Sequence, residues 1–383
     1  MCRGTPWRAR GHSMLCPYGS DDAGLVANDS SATVDWQLVA IESYSVDVVP
    51  CGPREPGCPI RSSMNRPRKP VAIVNPRAAG GKAVRRWPAV AAALERKLGV
   101  RVEARFTDHP GHASLLTRQA LRLGFDLVIV LGGDGTVNEV ANGFLVHDEP
   151  VRKEAAIGLI PIGTGGDLQR MLGIPSATEG ATDVIAEGKP LVVDVGKARL
   201  VGHDGSPVER YFVNLLSFGM GGDVSVRAKN FLSPLGGKIA FLYGTVAVFA
   251  TYRGKRVRLT LDGAALPEEF IITNVAVGNG SFHGGGMHPC PRAVMNDGLL
   301  EVTTIDRLTT WEFIRDLRIL YSDDIYQHAK VQHFRARTLR AESEEVTRVE
   351  VDGEALGRLP LEVTLLPQKL PLLVPSTSPL LKA

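Results

Sequence analysis

The chain has 383 residues, a formal net charge of +3 and 44% hydrophobic residues. That length suffices for two or three ordinary domains with real cores. So small a net charge gives no sign of a nucleic-acid partner; a mildly basic balance is compatible with an anionic membrane surface without requiring one.

In chain order, the first 68 residues differ from the rest. They are rich in Pro, Gly, Ser and Arg, hold four of the five cysteines, and contain one short strand-like patch, Trp36–Ile41. Such a stretch cannot bury enough apolar surface to fold and is expected to be disordered. Met64, close to the first strand, reads as the natural start; the alternative is a regulatory or metal-binding extension around Cys51 and Cys58. The scattered, odd number of cysteines offers no paired zinc spacing. With no apolar signal-peptide core at the N-terminus, a reduced cytoplasmic setting is the default.

Val71–Val74 reads as a strand ending in the basic, glycine-containing turn Asn75–Lys82. Helical stretches follow at Ala89–Leu98 and Ala113–Leu123. Asp126–Val130 is a continuous apolar run, as in a strand buried on both faces. It feeds Leu131-Gly132-Gly133-Asp134-Gly135-Thr136-Val137-Asn138-Glu139-Val140, with a helix expected over Thr136–Leu145. Glycines let backbone N–H groups approach phosphate, and a helix N-terminus adds partial positive charge. A carboxylate in that loop would repel phosphate unless a cation lies between them, so the loop points to a nucleotide with Mg²⁺. The pattern then repeats: strand Ile157–Pro161 runs into Ile162-Gly163-Thr164-Gly165-Gly166-Asp167-Leu168. Two such loops at the C-terminal ends of parallel strands would share one crevice. The alternation of strand and helix from residue 69 to 190 predicts a doubly wound α/β parallel sheet.

From Leu191 onward the segments are β-rich: Leu191–Val195, Tyr211–Leu216, Arg256–Leu261, Phe270–Val277, Leu299–Ile305 and Val346–Val351. They predict a predominantly antiparallel domain over 191–375, with the active site in the cleft between domains. Two helices interrupt it. Leu235–Tyr252 is apolar nearly all round, yet its apolar run is shorter than the roughly 20 residues that cross a bilayer. Thr309–Tyr321 carries Trp311, Phe313, Ile314, Leu317 and Leu320. Either helix is ordinary core or the wall of a site for an apolar ligand. Asp223 could face a substrate or second metal, and His283 with His288 could form a zinc pair, although packing roles are the simpler reading for each.

The Asn-Pro turn, the Gly-Gly-Asp-Gly-Thr-Val-Asn-Glu loop and the Pro-Ile-Gly-Thr-Gly loop resemble the diacylglycerol kinase catalytic domain, shared with sphingosine and ceramide kinases. His283–Met287, Asn296–Glu301 and Val351-Asp352-Gly353-Glu354 resemble later blocks of that family, in order. One departure is Gly166, where the family usually has Asn. The resemblance implies a β-sandwich after the nucleotide domain and an ATP-dependent lipid kinase acting on a diacylglycerol or a sphingoid- or ceramide-like hydroxyl. A NAD-kinase-like enzyme with a soluble substrate, or a silent nucleotide-binding regulator, are the alternatives. Asp134 is then expected to handle Mg²⁺. Gly133, Gly135, Thr136, Gly163, Thr164 and Gly165 would cradle the ATP phosphates, and Asn75 and Arg77 would flank the nucleotide. Gly353 and Glu354 would close over it. Asp297 is the matched candidate for a general base, or else a turn residue. Such an enzyme would be cytoplasmic, meet its lipid at the inner face of a membrane, and leave room for a homodimer.

Overall fold

The computed structural model describes residues 68–163, 166–230 and 252–381, without the side chains of 227–230. The N-terminal extension with Met64, Cys51 and Cys58, the helix at Leu235–Tyr252 except Tyr252, and Thr164 and Gly165 lie outside the described residues.

The first half runs β1 (Pro70–Val74), α1 (Lys82–Leu98), β2 (Glu103–Phe106), α2 (His112–Arg122), β3 (Leu127–Gly132), α3 (Asp134–Phe144), the short hairpin β4 (Leu145–Val146) and β5 (Glu149–Pro150), β6 (Ala156–Pro161), α4 (Asp167–Leu172) and α5 (Thr178–Glu187). The second runs β7 (Lys189–Gly202), β8 (Pro207–Phe212), β9 (Leu215–Gly219), α6 (Met220–Asn230), β10 (Lys255–Leu261), β11 (Ala264–Ala265), β12 (Phe270–Gly278), β13 (Leu300–Asp306), α7 (Thr310–Asp316), β14 (Val331–Ala336), β15 (Thr338–Glu342), β16 (Arg348–Val351) and β17 (Glu354–Val374).

The apolar runs at β1, β3 and β6 form strands buried almost throughout. Together with β2 they pair in parallel, in the order β6-β3-β1-β2. A doubly wound parallel sheet followed by a separate sandwich, however, is not what forms. The free edge of β6 is taken by β17, which pairs with it at Leu372↔Ile157. β17 is also a stave of a closed antiparallel barrel. In that barrel β10 pairs β12, β12 pairs β9, β9 pairs β16, β16 pairs β17, β17 pairs β15, and β15 returns to β10. The parallel strands are therefore a wing on one 15-stranded mixed sheet, whose closed unit is antiparallel. The β-rich, sandwich-like character of the second half is as expected, since closing the staves brings two sheet faces over one core.

The 21-residue β17 joins the two cores. Its Leu359, Leu361, Val363 and Leu365 fill the barrel beside Phe212, Phe218 and Val275. After a register shift between Leu366 and Leu370, Leu370, Leu372 and Val374 pack into the core of the parallel wing with Ile129 and Ile157. No helix among the described residues is long and apolar enough to cross a membrane.

Candidate active site

Two cavities stand out among the described residues. The first is an open cleft of about 390 Å³, lined by Asn75, Arg77, Gly133, Gly135, Thr136 and Gly163, the 107–110 loop, Glu139 and Glu354. The loops after β1, β3 and β6 all reach it because parallel strands release their loops at one end. Asn75 anchors its own turn: its Oδ1 accepts the Arg77 N–H at 3.0 Å and its Nδ2 donates to Thr136 Oγ1 at 3.0 Å. The N-terminus of α3 begins at Gly133 and Asp134, so its unpaired N–H groups and partial positive charge face the cleft. A helix N-terminus and glycine loops in this arrangement suit an anion of phosphate type.

The helix letters of the Thr-Val-Asn-Glu run have separate structural duties. Thr136 is held by Asn75. Asn138 donates to the Tyr211 carbonyl at 2.9 Å and to Asp352 Oδ2 at 2.7 Å, and its Oδ1 accepts from Arg210. Glu139 accepts the Ala113 N–H at the start of α2. Arg210 in turn pairs with Glu354 at 3.1 Å. The helix carrying Asp134 is thereby bolted to β8 and to the β16–β17 turn, and Glu354 reaches the cleft rim from the barrel side.

Asp134 sits behind the phosphate loops. Its Oδ2 accepts the Asp167 N–H at 3.1 Å, and the Leu168 N–H also bonds this carboxylate. Burial raises its pKa, and the nearby charges of Asp167 and Asp352 push the same way against those N–H groups. Asp167 is almost fully buried, bridging Arg170 at 2.9 Å and the Gly285 N–H at 2.8 Å. Asp352 accepts the N–H groups of Val213, Asn214 and Leu215 as well as Asn138, yet burial still raises its pKa.

The second cavity is apolar, about 110 Å³, walled by α6, β9, β12 and the segment from α7 to residue 325. Met220, Val224, Phe313, Leu317 and Leu320 form one cluster there. Its polar end holds His283 and Glu350, paired at 3.0 Å. Burial pulls the His283 pKa down, but Glu350, with Asp167 and Asp352 behind it, outweighs this and raises it to about 9. Burial raises the Glu350 pKa less than His283 and Ser225 lower it, so it stays ionised. Glu350 Oε1 also accepts the Gly353 N–H at 3.2 Å. Ser217 Oγ, buried in the same wall, has no hydrogen-bond partner.

The structure gathers Asn75, Arg77, Gly133, Gly135, Thr136, Gly163 and Glu354 around the cleft, with Asp134 directly behind. Asp297 is elsewhere. Its carboxylate is taken up by Arg335 and by the Leu299 N–H of its own turn, and it lines neither cavity. Asp223 pairs with Arg348. His283 and His288 are separately engaged, by Glu350 and by Asp323. Asp167, Asn138, Arg210, Glu350 and Asp352 are the groups that motif reading passed over. Asn138 and Asp352 lie inside the quoted motifs, whereas Arg210 carries no local signal. The oxygen donors around Asp134 suit Mg²⁺. An exposed trio at the cleft rim, Asp108, His109 and His112, has its donor atoms within 4.8 Å of one another, a set suited instead to a transition metal.

Residues 69–198 match the diacylglycerol kinase catalytic domain, and residues 214–374 match the YegS C-terminal NAD kinase beta sandwich-like domain. A diacylglycerol kinase of Staphylococcus carnosus (strain TM300) is 29% identical over 303 residues, covering 79% of this chain and 94% of the relative. One of Staphylococcus haemolyticus (strain JCSC1435) is 29% identical over 288 residues, covering 75% and 82%. A solved structure from Bacillus anthracis strain Sterne, proposed to be a diacylglycerol kinase, superimposes with a TM-score of 0.65 at 26% identity over 81% of this chain and 98% of that one. The open cleft lies largely in the first matched region and the barrel in the second: residues 69–198 are similar to the diacylglycerol kinase catalytic domain and residues 214–374 to the YegS C-terminal NAD kinase beta sandwich-like domain.

Proposed function

We propose that this protein is an ATP-dependent lipid kinase that transfers the γ-phosphoryl group to a lipid hydroxyl at a membrane surface. The observation that carries the reading is a hydrogen-bonded link between the surroundings of the two cavities. Asp167 gives its N–H to Asp134 behind the phosphate cleft, and its carboxylate takes the N–H of Gly285, two residues from His283 at the polar end of the apolar cavity. A lipid whose chain fills the apolar side presents its hydroxyl toward the carboxylates behind the nucleotide loops.

Phosphoryl transfer needs in-line positioning and charge stabilisation more than covalent help. Backbone N–H groups at Gly133, Gly135 and Gly163 and the α3 N-terminus would hold the phosphates, with Arg77 and the Asn75-braced Thr136 hydroxyl beside them. Asp134, packed among other carboxylates, is the residue that would hold Mg²⁺. The chemistry Mg²⁺ supplies is neutralisation of charge on the transferring phosphoryl group.

The test is transfer of label from ATP to a panel of diacylglycerol, sphingoid base and ceramide in mixed micelles, with the wild type and Asp134→Asn. The expected outcome is a labelled phospholipid from the wild type and a loss of about 10²–10³ in kcat for the variant, with an unchanged thermal midpoint. No labelled lipid, or near-wild-type turnover by Asp134→Asn at saturating Mg²⁺, would overturn the assignment.

A further inference from the structure

We propose that the outer face of the segment from Arg307 to Tyr321 docks on an anionic lipid surface and brings the mouth of the apolar cavity to the bilayer. The inference rests on the lipid-kinase reading. The segment is two-faced at helical spacing. Phe313, Leu317 and Leu320 point inward as part of the cavity wall. Trp311 and Ile314 point outward and are 72% and 50% exposed, and Tyr321 is 52% exposed while also lining the cavity. Three large exposed apolar side chains fall within eleven residues here, and no other stretch of that length among the described residues holds more than two. Tyr321 marks an opening, because it touches both solvent and the cavity interior.

Charge selects the partner. Each carboxylate of the segment has a cationic partner: Glu312 has Lys330 at 2.7 Å and Asp316 has Arg315, with His328 hydrogen-bonded to Asp316 as well. Arg307 and Arg318 are exposed and form no ion pair among the described residues. Beyond the segment, Asp323 hydrogen-bonds His288 and Asp324 hydrogen-bonds Gln327, contacts that hold these carboxylates in place without cancelling their charge. Trp and Tyr favour the headgroup level of a bilayer, and basic side chains beside them favour anionic lipid. A capping box, in which Thr309 Oγ1 accepts the Glu312 N–H and Glu312 accepts the Thr309 N–H, fixes the start of the helix, so the face is built before it binds.

The experiment compares the wild type with Trp311→Ala/Ile314→Ala and with Arg307→Glu/Arg318→Glu. Binding to phosphatidylglycerol–phosphatidylcholine vesicles and to pure phosphatidylcholine vesicles is read by co-sedimentation. Turnover is read with long-chain diacylglycerol in those vesicles and with a short-chain diacylglycerol dissolved as monomer. The aromatic variant is expected to lose roughly tenfold or more in vesicle binding and a similar factor in turnover of the vesicle substrate, while turnover of the soluble substrate stays unchanged. The charge-reversed variant is expected to lose the preference for anionic vesicles. Unchanged vesicle binding by the aromatic variant overturns the proposal, as does a wild-type dimer that this variant dissociates, since the face would then join two copies. If the wild type phosphorylates neither substrate, the lipid-kinase reading fails, and vesicle binding alone still decides the docking face.

Discussion

Glu350 does more at the residue scale than any group the motifs single out. It pairs with His283, accepts from Ser225 on α6, and takes the Gly353 N–H in the turn that carries Asp352 and Glu354. One carboxylate therefore ties the polar end of the apolar cavity to the turn whose Glu354 lines the open cleft. The pair has a defined pH window. The His283 pKa is raised from 6.5 to about 9, so its stabilisation is complete below about pH 6.5 and is lost as pH rises through about 9. The Glu350 pKa is lowered from 4.5, so its share is present above that value and lost as pH falls below it. Between about pH 6.5 and 9 the wild type should lose stability, as read by denaturant midpoints, and Glu350→Gln should remove that slope. Parallel pH profiles for the two proteins would show that the pair is not linked to folding. The substitution Gly166 also acquires a reason at this scale. Gly166 caps α4 with φ +68°, a left-handed conformation that Gly and Asn adopt most readily, so the departure from the usual Asn keeps the turn and gives up only a side-chain contact.

At the scale of elements, the crossing of α2 and α3 sets where Asp134 stands. A Cβ at Gly143 on α3 would fall 2.2 Å from the Ser114 carbonyl oxygen on α2, backbone that cannot step aside alone. The crossing is also fastened by Ser114 Oγ donating to the Glu139 carbonyl at 2.6 Å. Gly143→Ala should therefore cost about 1–3 kcal/mol by equilibrium denaturation and lower kcat/KM through displacement of the α3 N-terminus. A variant with wild-type stability would mean that the helices separate freely. The parallel strands and the phosphate loops were legible because β1, β3 and β6 are unbroken apolar runs that end in glycines. β17 was not, since Gly357, Pro360, Pro367 and Pro371 interrupt its alternation, and prolines argue against a strand interior. Missing that strand is what made two separate sheets look plausible. Asp297 shows the complementary limit: its motif is open to a general base or a turn residue, and nothing local to it signals the distant Arg335 that pairs with its carboxylate.

Across the whole molecule, the wing and the barrel share β17 and the core residues along it, so neither is expected to melt alone. Nucleotide bound in the wing should stabilise both together. At about 100 times the dissociation constant, ATP should add about 2.7 kcal/mol, and the entire calorimetric transition of the folded part should move upward as one peak. Two peaks, with only one shifted by ATP, would show that the shared strand does not couple them. The same strand sets the order in which the protein can be made. β6 emerges from the ribosome some two hundred residues before Leu372, its partner on β17, and the barrel waits for β17 to meet β15 and β16. Until then the phosphate loops hang on a wing with an open apolar edge, a form exposed to mispairing and to chaperones. Synthesis halted before residue 354 would thus yield nearly all of the cleft residues and no lasting cleft.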